Sequence, residues 1–164
     1  MSVPCHTPRR ALGYLTLLAL IPLGSCATLR YGADSGMVRK LDAYLSQGRG
    51  DEIARMTQLP FLLDGEVVLL SQDVRDFWDG VVHAGWRLAG WVVAEGTPVG
   101  QDTWKMFAQT QEVRSFFHNY VGKRARLLEL TDERGGRALL LVQERAFSWR
   151  ILGLATSTHG GGAS

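Results

Sequence analysis

Apolar positions follow two patterns along the chain: a continuous block near its start and a periodic arrangement after it. The block, residues 11–21, follows Arg9 and Arg10 and precedes a run of small residues. A basic start, an apolar stretch of about 7–15 residues and then small residues is the order of an export signal. The arginines stay on the cytoplasmic side while the apolar block enters the bilayer. The pattern therefore predicts an exported protein.

The residues just after this block, Leu23-Gly24-Ser25-Cys26, resemble the lipobox of bacterial lipoproteins. That motif has an aliphatic residue three positions before a cysteine and small residues between them. The resemblance implies cleavage that removes residues 1–25 and attachment of lipid to Cys26, whose thiolate is the nucleophile. It places the protein in the cell envelope, anchored to a membrane by its lipid. Ala27 stands where an aspartate would retain such a protein at the inner membrane, which favours the outer membrane.

Two other interpretations of this segment stay open. Residues 11–29 carry no charge and approach the roughly 20 residues of a membrane-spanning helix, which would make an uncleaved anchor. Ordinary secretory cleavage nearby would instead release the protein. Each alternative leaves Cys26 without a lipid.

Beyond residues 26–35, which we interpret as a tether, the apolar residues become periodic. A first helix is predicted because apolar residues share one face and Gly48 supplies a stop; that face carries Met37, Val38, Leu41, Tyr44 and Leu45. A short second helix over residues 51–57 follows. Asp64-Gly65 is then the two-residue turn of a hairpin within residues 61–70.

The rest of the chain predicts helices and strands in alternation. Ser71 and Thr110 are candidate N-caps, each followed by an apolar helical stripe. Strands are expected at residues 86–94, 103–109, 125–130, 137–145 and 147–154. The globular domain thus covers residues 36–155, and residues 156–164 form a glycine-rich flexible tail.

The two capped helices have similar sequences. Residues 71–78, SQDVRDFW, are echoed by residues 110–117, TQEVRSFF. One interpretation is an ancient duplication of a strand–helix–strand unit. The other is convergence of two amphipathic helices on the same cap and stripe.

Three short motifs resemble the nuclear-transport-factor-2-like superfamily over residues 36–155. These are the helix pair reaching Gly50-Asp51-Glu52, the segment from Pro60 to Glu66 followed at once by a helix, and the closing strand Trp149-Arg-Ile-Leu-Gly153. The resemblance implies an α+β fold in which helices wrap a curved antiparallel sheet around a conical pocket. The helix at residues 110–121 is an extra element there. It fits a ferredoxin-like βαββαβ plan with extra C-terminal strands, which is the alternative.

Charge and cysteine usage restrict the classes of partner. Because Arg9 and Arg10 leave with the signal, the 18 basic residues fall to 16, equal to the 16 acidic residues. A nucleic-acid-binding protein needs a basic footprint, and this near-neutral domain has none. The only cysteines are Cys5 and Cys26, so the mature domain cannot form an internal disulfide.

No catalytic set can be assigned, and whether the protein is an enzyme stays open, with the residues favouring a non-enzyme. Asp64 is explained by a turn, Asp73 by a helix N-terminus, and no pair of histidines has metal-ligand spacing. No phosphate loop or other cofactor motif is present, so no metal or cofactor is expected. Aromatic residues are more informative, because some could line an apolar cavity. The candidates are Tyr44, Phe61, Trp78, Trp86 and Trp149.

Three hypotheses for function follow. The first is a non-enzymatic lipoprotein that binds a small apolar ligand or a partner protein. The second is an isomerase or dehydratase type of enzyme that uses the conical pocket, as enzymes of the superfamily do. The third is a structural subunit of an envelope complex, which an exposed apolar patch would favour. A filled cone would count against the pocket-based forms of the first two.

Overall fold

A computed structural model of the chain describes residues 26–88, 91–132, 134–146 and 148–157. Helix α1 spans Cys26–Ser46 and helix α2 spans Gly50–Met56. The apolar face predicted for the first helix is buried from Met37 to Leu45. Gly48 follows the helix with a φ of 71°, a conformation that glycine adopts without a steric cost. The first two helices are therefore confirmed.

Residues 26–35, which the sequence predicts to be a tether, have a helical backbone and belong to α1; their role as a tether stays a prediction. Glycine and small polar residues have weak helix propensity, roughly 1 kcal/mol for Gly relative to Ala. However, the following turns are fixed by packing, and extending an existing helix does not repeat the cost of nucleation. Context therefore overrides local propensity here.

The predicted hairpin forms from strand β1, Thr57–Leu63, and strand β2, Glu66–Val68. Its turn residues Asp64 and Gly65 both have positive φ, 47° and 93°, as a type I′ turn requires. The Asp64 carboxylate also accepts a hydrogen bond from the backbone amide of Thr156 at 2.6 Å. This bond fixes the hairpin to the last strand of the sheet.

Helices α3, Ser71–His83, and α4, Gln111–Tyr120, are the two predicted amphipathic helices, but only one has its predicted cap. The Thr110 hydroxyl accepts a hydrogen bond from the Val113 amide at 3.2 Å. In α3 the capping position is occupied by Leu70, and no side chain caps the helix. The N-cap prediction is therefore confirmed for Thr110 and wrong for Ser71, which is the first helical residue.

Two strand predictions in the middle of the chain are corrected. Strand β3 spans Val92–Pro98, so the strand predicted at 86–94 is shifted. Before the strand, Gly85 has a φ of 69° and residues 86–88 have no regular secondary structure. Asp42 accepts a hydrogen bond there from the Leu88 amide at 2.7 Å. The strand predicted at 103–109 is also wrong, because Thr103–Met106 form a 3₁₀ helix.

Three strands close the fold as predicted: β4, Ala125–Thr131; β5, Arg137–Arg145; and β6, Ser148–Ser157. The sheet order is β2-β1-β6-β5-β4-β3. All neighbours are antiparallel except β1 and β6, which are parallel. Register shifts in β3 and β6 are bulges of the kind that bend strands. The α+β class, a curved sheet with helices packed against it, is confirmed.

The helices cover both faces of this sheet. We call the face covered by α1, α2 and α3 the inner face, and the face covered by α4 the outer face. A ferredoxin-like plan places its helices on one face, so this alternative does not fit. The 3₁₀ helix adds Trp104 to the outer cluster, in which Phe116 and Phe117 of α4 pack on Leu62, Leu141 and Leu152.

Candidate functional site

The space between the inner face and its helices is where the resemblance implied a conical pocket, and apolar side chains fill it. Phe61 of β1 and Trp78 of α3, both candidates for lining a pocket, are 0% exposed. Their ring centroids are 6.3 Å apart. Phe77 meets Trp78 edge-on at 4.9 Å. These are the contacts of a packed protein interior, so Phe61 and Trp78 are core residues.

The one polar atom of Trp78 is satisfied within the core. Its Nε1–H donates to the Thr57 hydroxyl at 2.9 Å, and that hydroxyl donates to the Ile53 carbonyl at 2.9 Å. The chain of two bonds joins α3 to the end of α2 and the start of β1. A buried polar group with a partner avoids the desolvation penalty of an unpaired one.

The other three aromatic candidates lie at the periphery of the same cluster. Tyr44, Trp86 and Trp149 are half-buried and pack against its buried members. The Arg49 guanidinium lies 4.6 Å from the Tyr44 ring centroid. The ring centroids of Trp86 and Trp91 lie 5.9 Å apart.

The structure brings no acid–base or metal-binding set together within its described residues. Every buried residue among them is apolar or a glycine. Asp64, Asp73 and His118 are exposed, and the Nδ1 atom of His83 lies 2.7 Å from the Asp79 carbonyl oxygen of its own helix. No group of His, Cys, Asp and Glu side chains in these residues is arranged to hold a metal ion. A general acid or base in a water-excluded pocket is therefore not found here.

Cys26 is the first residue of α1. Three lipobox residues, Leu23, Gly24 and Ser25, lie outside the described residues, as does the whole of the predicted signal. The predicted tail beyond residue 157 lies outside them too. Among the helices that are described, none has the length and apolar character needed to cross a membrane.

The described residues form a surface groove of about 330 Å³ between α2, β1 and the start of α3. Its apolar lining comes from Ala54, Leu59 and Val74. α2 and α3 approach closely at Gly50, where an added Cβ would lie 3.3 Å from the backbone of Trp78 and Asp79. α2 ends at Met56, and the lining continues with Thr57 and Leu59 of β1.

Polar and charged side chains border this groove, namely Asp51, Arg55, Thr57, Ser71 and Arg75. On the α2 side, hydrogen bonds from Arg49 and then from Arg55 lower the pKa of the Glu52 carboxyl. The corresponding N–O distances are 3.2 Å and 2.9 Å. Glu52 thus compensates the charge of Arg55. Arg75 bonds only to Gln72 of its own helix, at 2.8 Å, and forms no ion pair with any residue in the described ranges.

Three leucines beside the groove are unusually exposed for their size. Leu69 is 67% exposed, Leu70 is 63% exposed and Leu59 is 39% exposed. We call these three residues the leucine patch. The hairpin ladder ends at the pair Phe61–Val68, so Leu69 and Leu70 continue the chain beyond it and precede Ser71, which lines the groove.

The leucine patch was not identified from the sequence, although a signal existed. Residues 67–70, VVLL, are four consecutive apolar residues at the end of a predicted strand. Successive strand side chains point to opposite faces, so such a run needs cover on both sides. We interpreted the run only as the returning strand of a hairpin, whereas β2 ends at Val68.

Comparison with known proteins identifies no family. No protein-family model matches the chain, and no curated protein matches it. Among solved structures, it is similar to the crystal structure from Xanthomonas campestris described as a calcium/calmodulin dependent protein kinase II association domain. That match has 14% sequence identity and a TM-score of 0.46, and it covers 92% of this chain and 99% of the other.

Proposed function

We propose that the chain is an exported lipoprotein, held on an envelope membrane by lipid on Cys26, whose domain docks to a partner protein and is not an enzyme. The observation that carries the docking role is the filled interior. Where a ligand or substrate would enter the fold, Phe61 and Trp78 are fully buried against other apolar side chains. Apolar area that could contact another molecule lies outside instead, in the leucine patch.

The packed interior argues against the two pocket-based hypotheses. A small apolar ligand needs a cavity, typically about 300–1,000 Å³ for drug-sized molecules. An isomerase or dehydratase would in addition need an ionisable group facing that cavity. The interior between the sheet and its helices is packed with apolar side chains, and the groove of about 330 Å³ lies at the surface instead. No buried residue among those described is ionisable, so the enzyme's further requirement has no support. An exposed apolar patch instead supports the docking role.

The membrane anchor rests on the sequence pattern from Arg9 to Cys26. The outer membrane is the proposed location, because Ala27 follows the cysteine. The fold is compatible with an anchor at Cys26, since Met37 is the first buried side chain described in α1 and lies eleven positions later. At 1.5 Å per residue, α1 would hold the domain roughly 16 Å from the lipidated residue.

The test is metabolic labelling with a clickable fatty acid, followed by membrane fractionation. We expect the wild-type chain to be labelled and to sediment with membranes. We expect Cys26→Ala to lose the label and to leave the membrane fraction. Cys5→Ala is the matched control, because Cys5 is the only other cysteine, and it should behave like wild type. An unlabelled wild type, or a Cys26→Ala chain that stays in the membrane, would overturn the anchor.

A further inference from the structure

We draw no further inference here: the strongest candidate, the surface groove between α2 and α3 with the leucine patch beside it, is bordered by arginines and aspartates alike, and nothing in the structure shows what covers it.

Discussion

Trp78→Ala decides whether the interior is a packed core or a ligand cavity. The side chain is 0% exposed, and a buried aromatic residue removes about 150–250 Å² from water. At about 25 cal/mol per Å² this corresponds to roughly 4–6 kcal/mol, part of which alanine retains. Phe77 and Phe61 also lose a neighbour, and Thr57 loses its donor. We expect a loss of about 3–5 kcal/mol in the free energy of unfolding.

The assay is urea unfolding followed by far-ultraviolet circular dichroism, which does not rely on the tryptophan being replaced. With a slope of about 2 kcal/mol per M, the midpoint should fall by roughly 2 M. Tyr120→Ala is the control, since Tyr120 is an aromatic residue at the end of α4 with 47% of its surface exposed. It should cost less than about 1 kcal/mol. A loss below about 1 kcal/mol for Trp78→Ala would mean that Trp78 borders empty space, which would refute the packed interior and restore the ligand hypothesis.

Three further predictions test local features of the fold. Thr110→Ala should lower the free energy of unfolding by about 1 kcal/mol because it removes a helix cap, whereas Ser71→Ala should have almost no effect. Equal losses of stability in thermal unfolding would contradict the different capping of α3 and α4. Asp64→Ala should lower the free energy of unfolding by about 1–3 kcal/mol, because the Thr156 amide loses its acceptor and alanine is strained at positive φ. Asp64→Asn retains an acceptor oxygen and tolerates this conformation, so it should lower the free energy of unfolding by less in the same measurement. Because the pKa of Glu52 is lowered in the folded state, its stabilising effect is present above the unfolded pKa and is lost as the pH falls through the folded value. Glu52→Gln should therefore weaken the acid dependence of unfolding at low salt and much less at high salt, and an NMR titration of Glu52 showing an ordinary or raised pKa would contradict this.

Helices and strands with periodic apolar residues were predictable from the sequence, because each buries one face against other residues. The stripe from Met37 to Leu45 and the strands after Ala125 have a single buried face, so their spacing carries the signal. The Asp64-Gly65 turn was also predictable, because positive φ at two successive positions strongly restricts residue choice. Local chemistry and tertiary packing agree in these segments.

The conformations of residues 86–88 and 103–107 could not be predicted, because long-range contacts determine them. The apolar run from Trp86 to Ala94 is compatible with a buried strand, but the bond from the Leu88 amide to Asp42 joins residues 46 positions apart. Trp104 and Phe107 resemble strand residues in composition, yet they belong to the outer cluster together with α4. Residues with high strand propensity are those that suit a half-buried surface. A 3₁₀ helix packed on another helix also has such a surface, so composition alone does not distinguish it from a strand.

The sequence echo between α3 and α4 does not correspond to a structural repeat. α3 packs on the inner face, where Trp78 reaches Phe61, and α4 packs on the outer face, where Phe116 and Phe117 lie in a separate cluster. α3 also follows a hairpin directly, whereas α4 follows the 3₁₀ helix and has its own cap. Similar stripes arise because each helix buries one apolar side against a sheet. The arrangement therefore favours convergence over duplication.

Helices on both sheet faces restrict where the domain can bind a partner. The interior is packed, and α4 with the 3₁₀ helix covers much of the outer face. Leu69 and Leu70 are exposed because β2 ends at Val68 and α3 begins at Ser71, which leaves two apolar residues in a connection that no helix covers. Exposed leucines reduce solubility and are a liability unless a partner covers them. This exposed connection, and not the packed interior of the fold, is therefore the surface on which a function should first be sought.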